Sequence, residues 1–144
     1  MDPGGAELRV RVSGESDVMI ARQRTRELAA RQGLSEAASQ ALATAVSELA
    51  RNIVVHAGDG EILIAAQTEA HGRGVVVTAI DAGPGIADLD QAMQDGFSTT
   101  GSLGFGLPGA RRLVDEFEIE STVGAGTRVT LRSWASNAIS RARA

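Results

Sequence analysis

The stretch GFSTTGSLGFGLPG, residues 96–109, runs directly into ARRLVDEF, which reads as a helix. Glycines leading into a helix commonly offer backbone N–H groups to a phosphate. Which phosphate-binding design is present decides the fold. The P-loop requires G-x-x-x-x-G-K-[ST], with the lysine reaching the outer phosphates. All 14 basic residues here are arginine, so that design fails. The dinucleotide fingerprint G-x-G-x-x-G is matched literally by GFGLPG, with Glu120 further on. That design needs a strand directly before its first glycine, and here the preceding residues are FSTTGSL.

A third design emerges when the loop is joined to three other pieces. SELARN, residues 47–52, puts Glu48 and Asn52 four residues apart, one turn apart on one helix face. DAGPGI, residues 81–86, ends an apolar strand with an acid and turns sharply at Gly83 and Gly85. GTRV, residues 126–129, begins the last strand. An asparagine carbonyl suits Mg²⁺, and a carboxylate one turn away can accept a proton from an attacking hydroxyl. A carboxylate ending an apolar strand needs a partner, and the amino group of adenine would be one. Each box also has a plainer reading: Glu and Asn are ordinary on an exposed helix face, and Asp-x-Gly-Pro-Gly is good turn chemistry.

The order E-x-x-x-N, D-x-G-x-G, G-x-G, G-T resembles the GHKL ATPase superfamily, and the resemblance spans nearly the whole chain. It implies a Bergerat-type ATP-binding fold: an α/β (α+β) two-layer sandwich with helices on one face of a mixed sheet. It assigns Glu48 as proton acceptor and Asn52 as ligand of Mg²⁺ and nucleotide. Asp81 would take adenine, with Thr127 supporting the contact and Gly85 letting the base approach. Gly83, Ile86, Thr99, Thr100, Gly101, Gly104, Phe105, Gly106 and Leu107 complete the ATP site, with Gly96, Gly101 and the Ser/Thr run as a lid. SELARN, DAGPGI and DGFSTTGSLGFGLPGARRLVDEFEIES look like the RsbT-type switch kinases of bacterial partner-switching, stressosome-type pathways. Such a protein transfers the γ-phosphate of ATP to Ser or Thr of a STAS-domain antagonist or scaffold, then activates a partner, commonly a PP2C-type phosphatase. The alternatives are an anti-sigma factor of the RsbW or SpoIIAB kind and, in another class, an ATP-gated binding module without turnover.

Pattern supplies the elements around these boxes. LRVRV, residues 8–12, alternates as a half-buried strand does. Residues 17–32 form a helix stopped by Gly33, and Ser35 caps a second on which Leu42, Val46, Leu49 and Ile53 make one stripe, ending near Ala57 and Gly58. EILIAAQ (61–67) and GVVVTAID (74–81) flank the polar loop TEAHGR as a hairpin. A short helix is expected around residues 89–93, a further helix over 108–116, and closing strands at 117–123 and 127–134. His56 is expected to be structural, and Arg51 has no assigned role.

With 144 residues and 43% apolar content, the chain is expected to form one domain over 1–144, with flexible ends at 1–6 and 136–144. Cysteine is absent, which excludes disulfides and thiolate-bound metals. A net charge of −4 and only four aromatic residues argue against nucleic-acid binding. No apolar run approaches membrane-spanning length, so a cytoplasmic protein without a membrane partner is expected.

Overall fold

Among the described residues, period-two alternation of apolar and polar residues gives five strands, and one sheet takes them all. The computed structural model describes residues 7–70, 72–93 and 106–135. Within them the order is β1 (Glu7–Val12), α1 (Glu15–Arg31), α2 (Glu36–Asn52), a π-helical turn (Ile53–Ala57), β2 (Gly60–Glu69), β3 (Gly72–Asp81), α3 (Leu89–Ala92), α4 (Gly106–Arg112), β4 (Glu116–Thr122) and β5 (Gly126–Trp134).

The strands lie in the order β1-β2-β3-β5-β4, every neighbouring pair antiparallel. The two-layer α+β architecture is as expected, but the sheet is antiparallel rather than mixed. The reason is the last hairpin. β3 and β4 run in the same direction, yet β5 folds back from β4 and inserts between them, so the two parallel strands never share hydrogen bonds.

Helices α1 and α2 cover one face. Val10, Val12, Ile62, Ile64, Val75, Val77, Val129 and Leu131 point into that layer and meet Val18, Ala21, Leu42, Val46 and Leu49 from the helices. Each fully buried Leu, Ile or Val side chain contributes roughly 1.5–3 kcal/mol relative to exposure. The Leu42, Val46, Leu49, Ile53 stripe is buried throughout. Ser35 caps α2 as expected, its hydroxyl accepting from the Ala38 amide at 3.0 Å.

The structure refines the sequence expectation in three places. The β2–β3 ladder reaches Glu69 and Gly72, so most of TEAHGR is strand. The expected end of the second helix near residues 57–58 holds, but its last turn is π-helical: the Gly58 amide bonds the Ile53 carbonyl at 2.9 Å, and Gly58 at φ +89 stops it. Helix α4 ends at Arg112 instead of residue 116 because β5 recruits the following residues. The Asp115 amide donates to the Arg132 carbonyl at 3.0 Å, and the Trp134 indole N–H to Glu116 at 2.8 Å.

Candidate functional site

Where the C-terminal end of α2 meets the ends of β3 and β5, a cavity of about 360 Å³ opens. That lies within the range of roughly 300–1,000 Å³ usual for small-molecule sites. Its floor is apolar, from Leu49, Ile53, Ala79, Leu107 and Val129, and its polar groups are few: Asn52, His56, Asp81, Asp88, Gln91 and Thr127.

Helix α2 delivers Asn52 to the wall. Glu48, one turn earlier, stands beside the cavity rather than in its lining, with its side chain 21% exposed. The Arg51 guanidinium lies 3.5 Å from Glu48 and 3.6 Å from Glu15, tying the start of α1 to the end of α2. The π-helical turn carries the wall on to His56, which the sequence reading had made merely structural. π-turns within helices are often found at functional sites.

Opposite α2, the sheet ends in a polar row. Asp81 pairs with Thr127, and Thr127 with Ser121, across β3, β5 and β4. One Asp81 oxygen, Oδ1, accepts the Gly83 amide at 2.9 Å, so the turn reading of Asp-x-Gly is realised. The other, Oδ2, has no donor among the described residues, and Asp81 lines the cavity. Turn and ligand readings of this aspartate therefore coexist, one oxygen each.

Ser121 is the residue the sequence reading missed. Its hydroxyl accepts the Ile86 amide at 2.7 Å and lies 2.8 Å from the Thr127 hydroxyl and 3.2 Å from the Gly126 carbonyl. One side chain thus ties the DAGPGI loop to the start of β5. The signal was available: in EFEIEST the inward positions are Phe117, Ile119 and then a serine, a hydroxyl where the pattern calls for an apolar residue. Gly85 lines the cavity at φ +78, and a Cβ there would run into the Thr122 carbonyl. That steric demand comes from β4, independently of any bound base.

The cavity wall brings together Asn52, Asp81, Gly85, Ile86, Gly106, Leu107 and Thr127. Gly83 sits behind it, packed on Ala57. Thr99, Thr100, Gly101, Gly104 and Phe105 lie outside the described residues, as does the rest of the expected lid.

Residues 13–133 match the histidine kinase-like ATPase domain, a span that starts at the turn after β1 and reaches into β5. The serine/threonine-protein kinase RsbT of Bacillus subtilis (strain 168) is 44% identical over 125 residues, covering 87% of this chain and 94% of that protein. The chain belongs to the histidine kinase-like ATPases and, within them, to the RsbT-type serine/threonine-protein kinases. More distant members of this ATPase family include the anti-sigma F factor of Thermoanaerobacter sp. (strain X514), 35% identical over 95 residues, 63% of this chain and 66% of that protein. The anti-sigma F factor of Clostridium novyi (strain NT) is 33% identical over 94 residues, 62% of this chain and 66% of its own. A histidine kinase-like ATPase of this type uses ATP, and partner-switching kinases are its nearest functional setting. Among the described residues no helix is long and apolar enough to cross a membrane.

Proposed function

We propose that this chain transfers the γ-phosphate of ATP to a serine or threonine of a STAS-domain protein, in a stressosome-type partner-switching pathway. The observation that carries the reading is the Oδ2 of Asp81, without a donor among the described residues, in the wall of a cavity that Asn52 and Thr127 also line, with Glu48 one helical turn from Asn52. Adenine fits that chemistry: its amino group donates to a carboxylate, while Ile53, Ile86 and Leu107 offer apolar contact to a flat ring. Thr127, held by Ser121, stands beside Asp81 to complete the edge.

Asn52 is the residue that would hold Mg²⁺, which takes few protein ligands and keeps waters and phosphate oxygens. When bound, the ion would neutralise charge on the phosphates. Gly106 and the glycines before it would supply backbone amides to the phosphate chain. Glu48 accepts the hydroxyl proton of the acceptor side chain. The serine oxygen forms its bond to the γ-phosphorus as the bond to the β–γ bridging oxygen breaks, and ADP leaves. Positioning and charge stabilisation supply most of such a rate enhancement.

The phosphorylated STAS protein would then release the kinase to a downstream partner such as a PP2C-type phosphatase, all in the cytoplasm. The identity with anti-sigma F factors supports a second reading, in which the same domain captures a sigma factor. The two separate on one bench: the chain is incubated with ATP, Mg²⁺ and purified STAS proteins, and in parallel with sigma factors. Phosphate on a STAS protein without a stable sigma complex supports the switch kinase. A stable ATP-dependent sigma complex supports the second reading.

A further inference from the structure

Arg51 is the basic residue of SELARN, and nothing in the reaction above uses it. Successive helical residues are about 100° apart, so on α2 Glu48 stands about 40° from Asn52 on one side and about 60° from Arg51 on the other. Asn52 lines the cavity, whereas the Arg51 side chain lies outside the lining and is 46% exposed. From one backbone position the Glu48 carboxylate can therefore turn either way. Here it has turned to Arg51, whose Nη1 donates to its Oε2 at 3.5 Å, and that leaves it outside the cavity lining. A base that takes the proton of a hydroxyl aimed at the γ-phosphate has to reach the other side.

The second nitrogen of the fork, Nη2, lies 3.6 Å from Glu15. Helix ends account for that pair: Glu15 is in the first turn of α1 and Arg51 in the last turn of α2, where each charge complements its dipole. No such reason holds for Glu48, an acid near the C-terminal end of its helix. Both separations exceed the roughly 2.7–2.9 Å of a close charge-assisted hydrogen bond. Partly exposed pairs of this kind are weak, a preference of up to about fivefold. The pairing is enough to bias where the carboxylate rests, and a competing carboxylate can undo it.

From this geometry we propose that Arg51 is a positioning residue for Glu48. It keeps the carboxylate turned out of the cavity until an acidic group of the acceptor protein, presented close to the target hydroxyl, draws the guanidinium onto itself. The proposal rests on the transferase reading above and narrows its substrate to a Ser or Thr that has a carboxylate near it in space. The side of Arg51 away from the cavity is open to a protein: Glu15 is exposed, as is Met19 one turn along α1. A docked protein displaces water from Arg51, and attraction between opposite charges grows as the surroundings become less polar. The forked N–H donors of arginine match a carboxylate, so the incoming group outcompetes the two loose pairs. The same incoming charge repels Glu48 and turns it toward Asn52. Without an acceptor the base stays aside, which restrains loss of the γ-phosphate to water.

Two rates test this. The first is phosphate release from ATP and Mg²⁺ without any acceptor. The second is transfer to the STAS-domain protein phosphorylated in the assay above. In acceptor-free hydrolysis the water oxygen bonds to the γ-phosphorus, its proton passes to Glu48 and the bond to the β–γ bridging oxygen breaks, leaving ADP and phosphate. Arg51→Ala should release phosphate about fivefold faster than wild type, and adding Glu48→Ala should cancel the gain. In transfer, Arg51→Ala should raise KM for the acceptor about tenfold while kcat holds within about twofold or rises, and Arg51→Lys should recover part of the KM. Glu15→Ala breaks the same tie between the helices but leaves Arg51 on Glu48, so its hydrolysis should not exceed that of wild type. Thermal melts check that each variant is folded.

Wild-type hydrolysis and acceptor KM in Arg51→Ala overturn the proposal. So does a kcat that falls with KM unchanged, and so does an equal gain in hydrolysis from Glu15→Ala, which would make Arg51 a tie between helices alone. Failure of the transferase reading looks different: wild type then places no phosphate on any STAS protein, and the proposal falls with it.

Discussion

Replacing Asp81 by asparagine separates its two roles. Asparagine keeps a carbonyl oxygen that can accept the Gly83 amide, so the turn now closed at 2.9 Å survives. The second oxygen, which has no donor among the described residues, becomes an NH₂ group at the cavity wall. Against the adenine amino group, that substitution puts donor against donor and removes a hydrogen bond to a charged acceptor, a loss of about 1.5–3 kcal/mol. At 1.4 kcal/mol per tenfold, ATP affinity should fall about ten- to 150-fold. Thermal stability should change by only about 0.5 kcal/mol, since the fold loses nothing. Inosine triphosphate offers a carbonyl oxygen where ATP has the amino group, so Asp81→Asn should lose the preference for ATP over it, or reverse it. Titration calorimetry with both nucleotides, alongside thermal melts, reads all three quantities. Unchanged ATP affinity would refute the adenine assignment. A melt that drops as far as the affinity would mean that Asp81 serves the turn alone.

Glu48→Ala should retain ATP binding in calorimetry and lose phosphate transfer about a hundredfold or more, the usual weight of a positioned base; transfer at the wild-type rate would remove Glu48 from the chemistry. Ser121→Ala leaves the Ile86 amide without its acceptor and should cost about 1–3 kcal/mol in denaturant melts. It should also weaken ATP binding, and Ser121→Thr should restore part of both; an unaffected melt would show that the Ser121 bonds are incidental. The Glu36 carboxyl lies below its ordinary 4.5 because Arg26 hydrogen-bonds it, with Gln40 and the Arg26 charge adding to the effect. A lowered acid stabilises the fold above pH 4.5, and this contribution is lost as pH falls through its folded value. The stability difference between wild type and Glu36→Gln should therefore shrink on acidification in pH-resolved melts; a difference that is flat with pH would contradict it.

Much of the fold was legible because it rests on periodicity. LRVRV, the Leu42-to-Ile53 stripe and the two strands around TEAHGR all announce which face is buried, and burial fixes them. Sheet parallelism was not legible from those segments, since it depends on β5 inserting between β3 and β4, a long-range pairing that no local pattern encodes. The end of α4 failed for a related reason: residues 113–116 continue a helical pattern, and only the pull of β5 on Asp115 and Glu116 stops it. In the site, Asn52 was legible from its four-residue spacing to Glu48 and Asp81 as an acid ending an apolar strand before glycines, whereas Thr127 came only from the family resemblance. Ser121 was not singled out, although its place in the alternation marked it, because its partners Ile86 and Thr127 lie in other segments. His56 escaped because the π-helical turn changes the residue spacing on which helical faces are projected.

The chemistry proposed for this cavity is phosphate transfer to a STAS-domain protein. Intact-mass analysis of purified STAS proteins after incubation with the chain, Mg²⁺ and ATP tests it most directly, with Glu48→Ala alongside. Wild type should add one phosphate to a STAS serine or threonine, and the variant none. ATP binding with no phosphate on any STAS protein of a complete set would contradict it.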